Sequence, residues 1–478
     1  MRHWNRIGWV CGVVGICLGT MVTLLRTPNS NALDETKVSP AKPLGKLVVH
    51  EWGTFTSFSG SNGVQLDFRP LINEDLPNFV LDRRMQTGVS LLSKGRIRAQ
   101  IRMETPVTYF YTDEERTVRA SVEFSNGLLT EFYPPVIAMS PPYDPKKEGQ
   151  RPFGKSKLDW GEIDLIPPAK LAPAVKDPLT RQWLQGMIEQ RVLPTEGASN
   201  HYYHARATDS AFVHIRRSND EATQPFIVRP AGDYLEKFLF YRGVGRFEQP
   251  LRAAVADDGR IQVTNPGQAP LRSLFQVTVK NKSLTYSQMP RLAAGATGEF
   301  PGVGEKISLQ DLKALVVESL VGENLYQREA LAMVETWSDS WFAEEGTRIF
   351  YMVPREATDA LLPLTITPAP DESVRVLVGR IEMMSPSTEA QLMELVRVHA
   401  VKRVLHYKLH KGKEPMPPLP IPEELSKLGR LAEPALVRIR ELARDEAVSN
   451  EAIVLLNECR IALDEVASNA QSLSAASN

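Results

Sequence analysis

Cysteine is scarce in this chain of 478 residues, and it follows no pattern that would organise a fold. Of the three cysteines, Cys11 and Cys17 lie in an N-terminal apolar run, and Cys459 stands alone near the C-terminus. An internal disulfide and a Cys-x-x-Cys redox motif are therefore excluded for the body of the chain. Its stability must come from packing.

The sequence also lacks the short motifs that identify common chemistries. It contains no Gly-x-Ser-x-Gly nucleophile elbow, no His-Glu-x-x-His helix, no phosphate-binding P-loop and no Gly-x-Gly-x-x-Gly turn after a strand. The net charge is −1 and the basic residues are dispersed, so a nucleic-acid partner is not expected. No motif identifies a reaction, and no cofactor is predicted.

One long apolar run is present, at the N-terminus. Arg2 and Arg6 precede residues 7–25, a run close to the ~20 residues that span a bilayer as a helix. We predict a signal anchor or signal peptide at 1–26, with the membrane contacted through residues 7–25. The body is then expected to be membrane-anchored and extracytoplasmic, in the periplasm or at the cell surface. Cleavage after Ser30-Asn31-Ala32 would make the protein secreted.

Apolar periodicity in the body predicts a mixed α+β fold that is rich in β-structure. Residues 118–124 alternate between apolar and polar, and Asn126-Gly127 then predicts a hairpin with residues 128–133. The predicted divisions are a signal segment (1–26), a tether (27–43), an antiparallel sheet domain (44–135), a proline-rich connection (136–178), a helix and loop segment (179–225), an immunoglobulin-like sandwich (226–302), a helix-and-strand region (303–411), a proline-rich spacer (412–422), a HEAT-like helical pair (423–467) and a disordered tail (468–478).

Two helix starts carry clear signals. Ser308, with Asp311 three residues later, predicts the cap of one helix, and Ser385-Pro386 predicts the start of a long helix that ends near His410. On the long helix, an apolar face is expected to pack inward, with Val398, Val401, Leu405 and Leu409. His399, His406 and His410 border this face, and they could instead form a metal or proton site.

Histidines supply the candidate metal ligands. His50 and Glu51 form a tempting pair, but the preceding valines predict a strand, on which adjacent side chains point to opposite faces. His201 and His204, with Asp209 and His214 downstream, could bind a transition metal if they lie on one helix turn. A hydrogen-bonded or surface role is the alternative for all of these histidines.

The carboxylates provide candidate catalytic groups. Glu344, Glu345 and Arg348 could be acid and base groups, or an ion pair that holds a turn. Glu104 ends a predicted strand and remains open to either role. Asp359 and Glu382 have no partner that the sequence assigns.

Three segments carry a resemblance. The segments 50–55 (HEWGTF), 103–106 (METP) and 341–364 look like those of a group of uncharacterised exported bacterial proteins. The likeness runs over most of the body. It implies export and no particular activity.

The leading functional prediction is a membrane-anchored, extracytoplasmic binding or scaffolding protein of the cell envelope, with a protein or glycan partner. Modular sheets, proline-rich spacers and the unfinished helical repeat favour it. The alternative is an exported hydrolase that could use a zinc-type metal. An enzyme should bring several histidines and nearby carboxylates into one pocket.

Overall fold

The computed structural model describes most of the body of the chain. The residues described are 45–71, 76–77, 79–84, 97–144, 146–147, 153–171, 201–217, 232–412 and 415–460. The predicted tether, most of the predicted helix and loop segment and the predicted C-terminal tail lie outside these residues.

The predicted membrane anchor requires a correction. No helix in the described part of the chain combines the length and the apolar character that a membrane span requires. We therefore do not retain the predicted transmembrane helix or the membrane-anchored localisation. The predicted span, residues 7–25, lies outside the described residues.

The described chain is mixed α+β and rich in strands, which confirms the predicted fold class. The strands are β1 Val48–Ser59, β2 Leu81–Asp82, β3 Ile101–Tyr111, β4 Arg116–Phe124, β5 Gly127–Tyr133, β6 Ala138–Ser140, β7 Ser156–Ile166, β8 Phe212–Arg217, β9 Gly232–Glu236, β10 Leu239–Gly245, β11 Arg252–Val255, β12 Ile261–Thr264, β13 Leu271–Lys280, β14 Ser283–Leu292, β15 Thr297–Phe300, β16 Glu305–Lys306, β17 Gly346–Met352, β18 Leu364–Thr367 and β19 Glu372–Met383. The helices are α1 Pro168–Leu171, α2 Leu309–Gly322, α3 Gln327–Phe342, α4 Arg355–Leu361, α5 Pro386–His410, α6 Glu423–Lys427, α7 Ala432–Leu442 and α8 446–460. Short 3₁₀ turns occur at His201–Arg206 and Gly429–Leu431.

Strand β1 lies in the middle of a ten-stranded sheet. The strand order is β16-β14-β13-β17-β19-β1-β3-β10-β5-β2. β1 pairs in parallel with β19 and antiparallel with β3, and every residue of β1 is buried. A strand buried on both faces needs cover from two layers, and the fold supplies both.

The two faces of this sheet carry different layers. Helices α2 and α3 pack on one face, where Leu312 and Met333 join Trp52 and Val376 in one apolar cluster. On the other face lie a three-stranded sheet (β11-β12-β15) and a six-stranded sheet (β18-β4-β7-β8-β9, with β6 on β7). Alternation along each central strand therefore divides its side chains between a helical and a β layer.

The predicted hairpin at Asn126-Gly127 is wrong. β4 belongs to the six-stranded sheet, whereas β5 pairs with β10 in the ten-stranded sheet. The turn is a corner at which the chain passes from one sheet to the other, so the apolar side chains of both strands face a shared core. A Cβ on Gly127 would lie 2.2 Å from the Phe124 ring, so this corner requires glycine.

Strands from several predicted divisions share sheets. The ten-stranded sheet draws on the ranges 44–135, 226–302 and 303–411. Strands of 226–302, predicted as one small sandwich, are distributed among all three sheets. Pairing across these ranges buries apolar faces that each range would leave exposed by itself.

The C-terminal helices dock on the body, as an incomplete helical repeat must. Leu436 of α7 and Leu455 of α8 pack with Phe58 and Leu392 in one cluster. Leu455, Leu456 and Cys459 recur at helical spacing, which predicts that Cys459 is buried; in the structure it is half-buried. Burial still raises the pKa of its thiol.

Candidate functional site

The three segments of the resemblance lie in the middle of the ten-stranded sheet, two of them on adjacent strands. Residues 50–55 are in β1 and residues 103–106 are in β3, with Thr54 opposite Glu104 and Phe55 opposite Met103. The third segment contains β17, which pairs with β19, the other neighbour of β1. These segments therefore form the centre of the fold.

Gly53 and Pro106, in the segments 50–55 and 103–106, lie close together in the sheet. The ladder between β1 and β3 is interrupted between Trp52 and Thr54, at Gly53. A Cβ on Gly53 would lie 3.0 Å from the backbone of Pro106. The missing side chain is thus required by the close approach of two strands, which is a structural role.

His50 binds a buried carboxylate on the helical side of the sheet. Its Nδ1 lies 2.7 Å from Oε2 of Glu329 in α3, and both side chains are buried. Tyr111 donates its hydroxyl to Oε1 of Glu329 at 2.8 Å, and the Tyr326 amide donates to Oε2 at 2.9 Å. Burial is the main reason that the pKa of Tyr111 is raised, and Glu329 raises it further. This cluster holds the start of α3 against β1.

Glu51 points to the opposite face, as predicted for adjacent strand residues. Its Oε2 accepts from Nε of Arg375 at 2.7 Å, and its Oε1 accepts from the hydroxyl of Tyr241 at 2.6 Å. Arg375 also donates to Asp359 at 2.7 Å, and Arg355 donates to the same carboxylate at 2.7 Å. His50 and Glu51 therefore belong to two separate clusters.

Glu382 is held between two buried arginines. Arg348 donates Nε to its Oε2 at 3.1 Å, and Arg380 donates Nε to its Oε1 at 2.6 Å. Arg348 also donates to the carbonyls of Trp341, Glu344 and Glu345, and Arg380 donates to the carbonyl of Ser340. These carbonyls lie at the C-terminal end of α3, which otherwise leaves them without partners.

The predicted group of Glu344, Glu345 and Arg348 lies around the turn that follows α3. Arg348 holds the turn through the main-chain carbonyls of both glutamates and not through their carboxylates. The carboxylate of Glu345 instead accepts from the amides of Asn281 and Lys282. Glu104, the remaining candidate, accepts from Thr56 at 2.9 Å and lies 3.0 Å from Arg102.

Among the other described histidines, only His406 and His410 come together, with ring centres 4.3 Å apart. His214 lies between Asp164 and Asp233 on the six-stranded sheet, at 3.9 and 3.4 Å. His399 contacts Glu451, and His410 contacts the carbonyl of His406. His204 lies on the 3₁₀ turn, whereas the side chain of His201 lies outside the described residues. Within the described ranges, no three His, Cys, Asp or Glu side chains are grouped as a metal site would need.

Lys237 is a buried amine that the sequence pattern did not single out. Its Nζ donates to the Ser210 carbonyl at 2.6 Å and lies 4.3 Å from the centre of the Phe212 ring. Burial lowers its pKa to about 8, although Asp209 and Glu236 act in the opposite direction. Burial disfavours the charged form, so the folded state releases this proton more readily than the unfolded state.

This shift predicts a pH dependence of stability. Between about pH 8 and the ordinary lysine value of 10.5, the unfolded chain binds a proton that the folded chain has lost. The free energy of unfolding should therefore rise with pH across this window, by up to about 3 kcal/mol. Lys237→Met lacks the charged form that burial disfavours, so it should be more stable than the parent chain at pH 7. We expect this difference in the free energy of unfolding to shrink as the pH of the urea titrations rises from 7 to 10.5. A difference that does not change with pH would contradict this placement of the amine.

A cavity of about 730 Å³ lies between the ten-stranded sheet, the three-stranded sheet and the C-terminal helices. Its floor contains Gln276 and Thr278 of β13, and Met383 follows at the end of β19. The first turn of α5 and Leu428 form part of its wall. The volume lies within the range of ligand pockets, roughly 300–1,000 Å³.

The long helix α5 exposes the face that the pattern predicts to be buried. It begins after Ser385 and ends at His410, as expected, and Ser385 caps it through the amide of Thr388. However, Val398, Val401, Leu405 and Leu409 are 43%, 58%, 53% and 75% exposed. The face that docks on the body instead contains Leu392, Val396 and His399. The prediction that Val398, Val401, Leu405 and Leu409 pack inward is therefore wrong. We call these four residues the α5 stripe.

Comparisons with known proteins assign no family to this chain. No family model matches it, and no curated protein matches it. Among solved structures, it is similar to a yeast delta-COP-I mu-homology domain, at 9% identity and a TM-score of 0.23 over 73% of this chain and 98% of that one. The same domain complexed with the Dsl1 WxWxV peptide gives 7% identity and a TM-score of 0.24, over 71% and 96%. Likenesses this low carry no inference, and the resemblance to exported bacterial proteins stays a prediction.

Proposed function

We propose that this chain is a binding protein that docks an acidic, amphipathic helix of a partner protein on the α5 stripe. The observation that carries this proposal is the exposure of four aliphatic side chains on a well-formed helix whose opposite face is already docked. Exposed apolar patches on soluble surfaces commonly mark interaction sites.

The spacing of the α5 stripe favours a helical partner. Its residues, at 398, 401, 405 and 409, are three or four positions apart and span about 80° of the helix circumference. Residues at this spacing form the kind of surface that another helix covers by packing knobs into holes. Val404, which is 55% exposed, adjoins the stripe on the same helix.

The basic residues beside the α5 stripe favour a partner helix of negative charge. No aspartate or glutamate occurs between 395 and 411, and Lys402 and Lys408 border the two sides of the stripe. Arg397 and Lys411 are exposed on the same helix or just beyond it. A second copy of this chain would bring like charges together, whereas glutamates beside an apolar seam would complement them.

The hydrolase alternative receives no such support. His50, Glu51 and Glu382 are engaged with Glu329, Arg375 and Arg348 in contacts that hold α3 and the sheet together. The side chain of His201 lies outside the described residues. A glycan partner is also not favoured, because none of the residues described as lining the large cavity is aromatic.

The test uses a synthetic 21-residue helical peptide with leucine at its seam positions and glutamate beside them, labelled for fluorescence anisotropy. We expect full-length protein to bind it at least tenfold more tightly than a twin peptide with lysine in place of glutamate, with weakening as salt rises. Leu405→Asp should reduce the affinity at least tenfold. Gln391→Glu, a change of the same charge at an exposed position before the stripe on α5, should not.

Other occupants give distinguishable results. Equal binding of the acidic and basic peptides, or an affinity that Leu405→Asp does not change, would contradict the proposal. Self-association that Leu405→Asp abolishes would identify a second copy as the occupant. Binding that appears only after truncation at Arg460 would show that residues 461–478 cover the stripe, and this too would overturn docking on the full chain.

A further inference from the structure

We infer that His406 and His410 of α5 form an open binding site for a divalent transition-metal ion. Two imidazole nitrogens hold the ion, and water completes its coordination. At about 100° per residue, the pair is centred about 115° around the helix from the centre of the α5 stripe. The site is therefore separate from the stripe and does not depend on the proposed partner.

The two rings already lie side by side. His406 and His410 are one helical turn apart, and their ring centres are 4.3 Å apart. Two nitrogens bound to one tetrahedral zinc ion lie about 3.3 Å apart, since each zinc–nitrogen bond is about 2.0–2.1 Å long. Rings this close can reach that separation by small side-chain rotations. Positions i and i+4 share a helix face, so the backbone does not have to change.

A main-chain contact orients the ring of His410 as a ligand. Its Nδ1 lies 2.9 Å from the carbonyl oxygen of His406. A carbonyl only accepts, so Nδ1 of the neutral ring carries the proton and Nε2 keeps the lone pair that binds a metal. Histidines that bind metals usually donate their other ring N–H in this way. Among the described residues, no hydrogen bond occupies Nε2 of His410 or either ring nitrogen of His406.

The pair is accessible to an ion from solvent. Both histidines are half-buried, and Tyr407 and Leu409, their neighbours in sequence, are 54% and 75% exposed. Lys402, one turn before His406, is also exposed, so salt screens its repulsion of a cation.

The other polar side chains on this side of α5 are already engaged. His399 contacts Glu451 through Nδ1 at 2.7 Å, and its Nε2 lies 3.2 Å from the carbonyl of Pro420. Arg403, which lies between His399 and the pair, donates to the carboxylates of Glu451 and Glu458 at 2.7 and 2.8 Å. His399 is therefore not a third ligand, and the charge of Arg403 is balanced by two glutamates.

The donor atoms select the class of metal. Mg²⁺ and Ca²⁺ take oxygen ligands, whereas imidazole suits zinc, copper and nickel. Structural zinc sites use four protein ligands, so a site with two should bind its ion more weakly and exchange it with solvent.

The test measures amide hydrogen exchange of full-length protein without an affinity tag, titrated with zinc chloride. We expect zinc to slow exchange saturably in peptides from residues 403–412, because an ion that bridges two adjacent turns holds the end of the helix closed. The zinc concentration that gives half of this protection measures the affinity. Magnesium should have no effect. At about pH 5, where imidazole is protonated, the protection should be lost.

Two variants separate the geometry of the pair from the mere presence of histidines. His406→Ala should abolish the protection. Lys408→His/His410→Lys keeps the composition, but it places the second histidine about 200° from His406 around the helix, so zinc binding should weaken at least tenfold. Protection that either variant retains at the parent affinity, or that magnesium also produces, would overturn the inference. Binding of the acidic peptide is measured with EDTA present, so the two proposals fail independently.

Discussion

Replacement of Glu382 by leucine is expected to lower the free energy of unfolding by about 3–5 kcal/mol. The carboxylate lies between Arg348 and Arg380, and all three side chains are 2% exposed or less. Without it, two guanidinium groups remain buried next to each other, and Arg380 keeps only the half-exposed carboxylate of Glu344, 3.5 Å away. Both also bind carbonyls at the C-terminal end of α3, so the disturbance should extend to that helix.

Urea denaturation followed by circular dichroism measures this loss. Glu344→Leu is the matched control, because Glu344 is a nearby glutamate whose side chain is 45% exposed and lies 3.5 Å from Arg380. Exposed substitutions of this kind usually change stability by about 0.5 kcal/mol or less. If Glu382→Leu proved as stable as the parent protein, the carboxylate would be dispensable for folding and a chemical role for it would have to be reconsidered.

Arg375→Met should be comparably destabilising, by about 3–5 kcal/mol, since it leaves Glu51 buried without its cation. Arg375 is 2% exposed and Glu51 is fully buried. The double variant Glu51→Gln/Arg375→Met should recover part of this loss. Glutamine is neutral, and its oxygen can still accept from Tyr241 and Thr108, which now bind Glu51.

The same denaturation measurements provide a double-mutant cycle. An interaction free energy of roughly 1–3 kcal/mol between the two positions is expected for directly contacting residues. Arg355→Met is the control, because Arg355 contacts Asp359 from a position where it is 41% exposed. Equal losses in Arg355→Met and Arg375→Met would show that burial of the Glu51 pair is not what matters, and a double variant no more stable than Arg375→Met would exclude the unpaired charge as the cause.

Local signals determined several elements correctly. The cap at Ser308 forms through the amide of Asp311, and α5 begins at Pro386 and ends at His410. His50 and Glu51 lie on a strand and face opposite layers, as the preceding valines predict. Each of these features depends on residues within one or two turns or on the period of a strand, and so a single stretch of sequence contains the information.

Contacts between distant residues could not be predicted in this way. Glu51 and Arg375 are 324 positions apart, and Glu329 meets His50 from 279 positions away. The segments 50–55 and 103–106 were recognisable, but only the pairing of β1 with β3 and β19 shows that they build the centre of a sheet. Long-range pairing depends on the fit of whole faces, which the chain establishes only when the layers assemble.

The sequence by itself determined the class of fold, the course of α5 and the absence of a ready-made catalytic motif. Only the tertiary structure decided which side of α5 docks. Apolar residues occur on two sides of this helix, and periodicity cannot rank them; Leu392 and Val396 bury because the C-terminal helices complement them. Because that face docks, the α5 stripe stays exposed to solvent.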